Sequence, residues 1–196
     1  LALSAGPPPP SIVMRMSARF QLQTPRLRLR RLVRGDLEDL LALDADPEVM
    51  RFISGGVPPT REQYESSLLE RMTAYDDQPF GFATAHQDDA FVGWFHLRPA
   101  VADAEVLELG YRLRRAAWGR GLATEGSRAL VRYAMDTLGR DEVDACADPR
   151  NAASIRVMEK CGMHRVGTLV HPRGGMEVVR YLVRSPRAST DAQRGD

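Results

Sequence analysis

The chain has 196 residues, enough for one domain that buries roughly 70% of its unfolded surface. Charged residues make up 27% of it and nearly cancel to a net +1, so composition selects neither nucleic acid nor a membrane as partner. Two cysteines, Cys146 and Cys161, supply no disulfide framework and no metal spacing, and no apolar run approaches membrane-spanning length.

Lys160 is the single lysine among 27 basic residues, a bias read as GC-rich coding before any functional demand. Residues 1–19 carry Pro7–Pro10 and lack a basic stretch followed by an apolar core, so they are not a secretory signal. They are expected to be a disordered or non-native extension, with Met14 or Met16 as alternative starts. Residues 20–184 are read as one domain and residues 185–196 as a flexible polar tail.

Arg26–Val33 alternates basic and apolar residues and predicts a first strand with one wet face. A nucleic-acid patch is the alternative there, but interleaved aromatics are missing. Asp36 is expected to cap a helix that runs to about Asp44 and is ended by Pro47. Thr60 and Gln63 form a capping-box signal for a second helix reaching about Tyr75. Between these helices Phe52–Pro59, with Gly55-Gly56 and Pro58-Pro59, reads as a loop. Phe80–His86 and Phe91–Leu97 flank Gln87–Ala90 as a hairpin, which puts Trp94 and His96 on one face. His96 reads as packing first and as a base second.

Leu107–Leu113 alternates apolar residues with Glu108, Gly110 and Arg112 and predicts a strand. From Leu122 the period becomes helical: Leu130, Val131, Ala134, Met135 and Leu138 line one face, with Glu125, Arg128, Arg132 and Asp136 opposite. The turn between them, Trp118-Gly119-Arg120-Gly121-Leu122-Ala123, offers no Ser, Thr, Asp or Asn cap before Leu122. Bare N–H groups, a helix dipole and Arg120 there make an anion site; a plain turn whose glycines serve geometry alone is the competing reading. No G-x-x-x-x-G-K-[ST] or G-x-G-x-x-G is present, which excludes the two commonest phosphate loops. Glu142–Ala147 predicts a short strand. In Asp148–Gly162, Asn151 and Ser154 lie three residues apart at a helix start, and Gly162 is a ready C-cap. Met163–Val170 and Met176–Arg184 complete the pattern as strands.

The Trp118–Ala123 stretch resembles the cofactor motif of the GNAT superfamily of N-acetyltransferases, Gln/Arg-x-x-Gly-x-Gly/Ala, with Gly121 and Ala123 in the last two places and Trp118 where Gln or Arg is usual. ELGY followed by WGRGLATE is most similar to the branch that acetylates N-termini of ribosomal proteins. Asn151-x-x-Ser154, then Glu159-Lys160-Cys161-Gly162, resembles the second GNAT signature. The resemblance covers residues 20–184. It implies an α+β, three-layer fold: a mixed, mostly antiparallel, twisted seven-stranded sheet with helices on both faces and a splay between the fourth and fifth strands. It also implies acetyl-CoA as acyl donor, no metal, an amine acceptor that is a protein N-terminus or a small molecule, a cytoplasmic enzyme, and a homodimer as a common state.

By that resemblance the pyrophosphate sits on Trp118, Gly119, Arg120, Gly121, Leu122, Ala123 and Thr124. Pantetheine then runs along Leu109, Tyr111, Arg112 and Leu113, with Asn151 holding it from the other side and Ser154 donating to the departing sulfur. At pH 7 an α-amine is about 14% neutral and a lysine about 0.04%, a difference of roughly 3.5 kcal/mol, so an α-amine acceptor tolerates a weak base. Glu108 is the candidate base, with a buried structural carboxylate paired to arginine as the open alternative. Cys161 as a covalent nucleophile lacks an adjacent His or positive cluster. A CoA-binding module without turnover, a larger acyl donor and an arginine-rich nucleic-acid binder are the competing functions.

Overall fold

The computed structural model describes residues 20–172 and 175–186, so the expectations for residues 1–19 and 187–196 lie outside the described residues. The strands are β1 (Gln21–Gln23), β2 (Arg28–Arg31), β3 (Gly81–Gln87), β4 (Ala90–Pro99), β5 (Leu107–Leu113), β6 (Glu142–Ala147), β7 (His164–Val170) and β8 (Glu177–Arg184). The helices are α1 (Leu37–Asp44), α2 (Pro47–Met50), α3 (residues 61–73, with a π-type turn at Tyr64–Leu68), α4 (Leu122–Arg132, continued by a π-type turn at Tyr133–Thr137) and α5 (Ala152–Lys160).

One sheet holds all eight strands in the order β1-β2-β3-β4-β5-β6-β8-β7. The strand beyond the expected seven is β1, whose three residues, Gln-Leu-Gln, are too short and too polar to show a period. Every pairing is antiparallel except β5 with β6, which run parallel and pair only at Leu107↔Val143 and Glu108↔Asp144. Beyond Glu108 the two strands part, so the expected splay lies between the fifth and sixth strands of the eight.

Both faces of the sheet are covered. On one, Leu122, Leu130, Val131 and Ala134 of the α4 segment and Met158 of α5 pack on Leu29, Ala85, Phe95, Leu107 and Leu109. On the other, Leu40 and Leu43 of α1, Val49 of α2 and Tyr64, Leu69 and Met72 of α3 pack on Leu32, Phe91 and Trp94. β4 is therefore buried on both sides, which explains why AFVGWFHL reads as a near-continuous apolar run.

Two helix signals act differently from expectation. Asp36 makes no cap bond to α1; its carboxylate accepts the Val33 amide at 2.8 Å and pairs with Arg30, fixing the turn after β2. Pro47 does not close a helix but opens α2, where the Asp46 side chain accepts from the Glu48 amide at 3.0 Å. The Thr60–Gln63 capping box forms as read, with both reciprocal bonds made. Asp88 and Asp89 adopt φ of 49° and 64°, the left-handed pair that a two-residue hairpin needs. Ser185, assigned to the tail, is buried and its amide donates to the Asp141 carbonyl at 2.7 Å.

Close approach of α4 to β4 requires Gly126, because a Cβ there would lie 2.4 Å from Cζ of the fully buried Phe95. Gly126→Ala gains about 1 kcal/mol of helix propensity, but overpacking against a ring that cannot move costs about 1–3 kcal/mol. The variant is expected to unfold at lower temperature than the parent in a thermal melt; an unchanged or higher midpoint would show that the helix can shift away.

Candidate active site

The splay exposes one edge of β5. From Leu109 to Leu113 the strand is bonded to β4 on one side and has no strand on the other. Because β6 runs parallel to β5, the chain must cross over between them, and α4 is that crossover. Its start therefore lies at the mouth of the splay. Gly121 is its N-cap, at φ 78° and ψ 2°, and no side chain caps the helix. Gly119 is also left-handed, at φ 69°. A Cβ on Gly119 would meet nothing within 4 Å, and one on Gly121 only the Arg26 guanidinium at 3.5 Å, so backbone conformation and not crowding demands glycine at both. The first-turn amides of Leu122, Ala123 and Thr124 point out of this end without intrahelical acceptors.

A cleft of about 390 Å³ follows the open edge and the loop, lined by Tyr111, Arg112, Leu113, Trp118, Gly119, Gly121 to Thr124, Asn151 and Ser154. The expected cofactor residues thus come together on one wall, with two exceptions. Arg120 does not line the cleft: its carbonyl accepts from Arg26 Nη1 at 2.8 Å, and the basic side chains bordering the cleft are Arg51, Arg156 and Lys160. Leu109 lines the neighbouring junction instead. Arg156 and Lys160 stand four residues apart on α5, a spacing that could have marked them as one face.

Several side chains hold this wall in place. Trp118, exposed by 45%, donates from Nε1 to the Leu113 carbonyl at 2.8 Å, which ties the loop to the end of β5. Asn151 Oδ1 accepts from the Ser154 amide at 3.1 Å, so its side chain caps α5 at the border of the cleft. Glu125, which its helical position marks only as a solvated residue, gathers the Thr24 hydroxyl at 2.6 Å and the Arg26 amide at 2.9 Å and pairs with the Arg26 guanidinium. Arg26 in turn reaches the Arg120 carbonyl, so the carboxylate fixes the loop from behind.

Behind the cleft, β4 and β5 present three successive cross-strand pairs to the α1–α3 face: Trp94↔Arg112, His96↔Gly110 and Arg98↔Glu108. Arg112 lies 5.0 Å over the Trp94 ring and pairs with Asp44, which also accepts from the Tyr64 hydroxyl. The Arg112 guanidinium therefore lies on the α1–α3 face, with Asp44 and Trp94. Burial and the Asp44 carboxylate push the Tyr64 phenol far up. His96 fits over Gly110 so closely that a Cβ there would sit 2.2 Å from its Nε2. Glu108 is buried, ion-paired with Arg98, and 3.7 Å from His96 Nε2. The carboxylate thus stands beside the imidazole and the arginine, the arrangement in which it can be both structural and proton-accepting.

A narrow space of about 200 Å³ lies between the two sides and shares lining residues with each; His96, Glu108, Gly110, Tyr111, Ser127 and Ser154 are among those on its border. Tyr111 and Ser154 both border this space, and burial raises the Tyr111 phenol against a smaller opposing effect of the Ser154 side chain. Sequence reading credited only the Tyr111 backbone. On the far side a cavity of about 520 Å³ opens between α1–α3 and the sheet. Ile53 and Arg112 border all three spaces. Neither thiol suits nucleophilic work: burial, Glu108 and Asp144 push Cys146 up to about 12, and burial raises Cys161 to about 11 against a small opposing effect of Arg128. Among the described residues no cluster of His, Cys, Asp or Glu could hold a metal, and no helix is long and apolar enough to cross a membrane.

Burial works to raise the Glu125 carboxyl, but the bonds from Thr24 and Arg26 outweigh it and hold it below its ordinary 4.5. Its contribution is complete above that ordinary value and is lost as pH falls through the lower folded value. Glu125→Gln is expected to weaken coenzyme A binding several-fold in calorimetry and to flatten the acid limb of the stability profile. Unchanged affinity would show that the loop keeps its shape without the clamp.

The family model for the acetyltransferase (GNAT) domain matches residues 26–164. A relative from Aspergillus fumigatus, named FsC-acetyl coenzyme A-N(2)-transacetylase, is 34% identical over 87% of this chain and 78% of its own. YkkB of Bacillus subtilis is 31% identical over 79% of this chain and 91% of its own. Among solved structures, that of aminoglycoside acetyltransferase AAC(6')-Ib with coenzyme A shares the fold, with a TM-score of 0.66 at 22% identity over 86% of this chain and 99% of that one. The chain belongs to the GNAT family of acetyltransferases.

Proposed function

We propose that the protein moves the acetyl group of acetyl-CoA to the primary amine of a small molecule, by direct attack with both substrates bound. The observation that carries this is the meeting of two separate clefts at a constriction bordered by Glu108, His96, Tyr111 and Ser154. One cleft has the features that fit coenzyme A: an uncapped helix start, an open strand edge for an extended amide chain, and basic side chains at its border. The other is the space left for an acceptor. The relative named for acetyl coenzyme A and N(2) transfer, and the fold neighbour crystallised with coenzyme A, support the donor.

Bound acetyl-CoA supplies an activated thioester carbonyl. The chain's own part begins with the amine, which must reach the constriction neutral. Glu108 takes its proton, directly or through His96 at 3.7 Å, and Arg98 holds the carboxylate in place for that task. Unpaired backbone amides along the open edge of β5 donate to the oxygen that gains charge. Tyr111 and Ser154, which both border the constriction, supply the hydroxyl that donates a proton toward the leaving sulfur. The size of the acceptor side, about 520 Å³ with Ile53, Ser54 and Val57–Pro59 of the loop on its border, supports a small amine over the ribosomal-protein terminus that the motif resemblance suggested.

Glu108→Gln is expected to lower kcat about 10²–10⁴-fold, the usual worth of a general base, while leaving the coenzyme A Kd nearly unchanged. A thiol-release assay and calorimetry measure the two quantities, and equal loss of both would make Glu108 only the partner of Arg98. Replacing both cysteines by serine is expected to leave turnover within a few-fold of the parent. Abolished turnover in that folded variant would instead demand a covalent acyl-thiol step.

A further inference from the structure

The acceptor cavity has a chemistry of its own. One wall is aromatic: Phe82 lies 6.4 Å from Tyr75, 5.4 Å from Trp94 and 4.9 Å from His96, ring centre to ring centre. Met50, Leu68 and Met72 add aliphatic surface. Across the mouth, Ile53 and Val57 on the loop are 44% and 67% exposed, large apolar side chains left in water beside an apolar cavity.

Fixed charge in and beside this cavity does not favour cations. Asp44 is the one carboxylate on its wall, and its Oδ2 is engaged by Arg112 and the Tyr64 hydroxyl. Asp44 Oδ1 has no partner among the described residues, but it is itself sealed from solvent. Glu108 at the constriction is taken by Arg98. Against these two carboxylates stand three guanidinium groups, Arg71, Arg98 and Arg112. Arg71 is exposed and has no carboxylate partner among the described residues, so it offers its charge at the mouth.

We infer that the acceptor is a monoamine on an apolar, aromatic-sized body whose far end is neutral or anionic, with an anionic end facing Arg71. Resting on the acetyl transfer proposed above, this inference adds the acceptor's chemical class. A polycationic amine entering the same space would carry charges past paired carboxylates and toward unmatched arginine, a double penalty of desolvation and like-charge repulsion. An aromatic amine instead buries its ring against Phe82 and Trp94 and covers Ile53 and Val57.

The test is a panel assayed by thiol release from acetyl-CoA with the intact chain: phenethylamine, 4-(2-aminoethyl)benzoate, spermidine and kanamycin. The two aromatic amines are expected to exceed the two polycations at least tenfold in kcat/KM. Arg71→Glu lies on an exposed helix position, and it is expected to raise KM for the benzoate more than for phenethylamine, with little change in kcat. Equal or better turnover of spermidine or kanamycin would overturn the acceptor class while leaving acetyl transfer intact. An Arg71→Glu variant that shifts both aromatic amines alike would remove the anionic-end assignment. Coenzyme A binding without thiol release from any of the four amines would defeat the transfer reading, and the acceptor class with it.

Discussion

Two parallel strands that pair over only Leu107–Glu108 and Val143–Asp144 are the constraint on which the rest of the molecule depends. Parallel neighbours cannot be joined by a tight turn, so a helical crossover must leave the end of β5 and return to the start of β6. The departure point is the glycine loop. Strand parting, exposed strand edge and bare helix start are therefore one geometric event, and a ligand with an anionic group and an extended amide chain meets all three at once.

Along its other edge β5 stays paired with β4 throughout, and the side chains of those two strands form a short polar ladder inside an apolar region. Trp94 supports Arg112, Gly110 makes room for His96, and Glu108 neutralises Arg98. Buried charges of this kind persist only when each has a partner of good geometry. The ladder is thus a set of matched pairs that ends at Arg98 and Glu108, the latter bordering the constriction.

Most of this architecture is legible in the residues. Period-2 alternation marks β2 and β5, and the Thr60–Gln63 box and Asn151–Ser154 spacing mark helix starts that the structure keeps. The uncapped turn at Gly121 stands out because expected cap residues are missing there. What stays hidden depends on distant partners. Nothing local tells that Glu125 faces Arg26, that Asp44 lies under Arg112, or that the Arg120 side chain leaves the cleft to Arg156 and Lys160. Asp36 and Pro47 carry strong local signals, yet Val33 and Arg30 just upstream reassign the first and the neighbouring Asp46 recasts the second. The Tyr111 hydroxyl escapes notice because strand alternation says which face it takes, not that Ser154 borders the same space.

The Glu125 clamp has a bearing on how the molecule assembles. Its partner Arg26 is 99 residues away along the chain, and the Thr24 hydroxyl is 101 away. Contacts of that span close late, since a long loop must be ordered before they repay its entropy. The Gly119–Gly121 turn therefore keeps its shape only with the N-terminal segment docked beside β3, so its geometry is owed to chain nearly a hundred residues away.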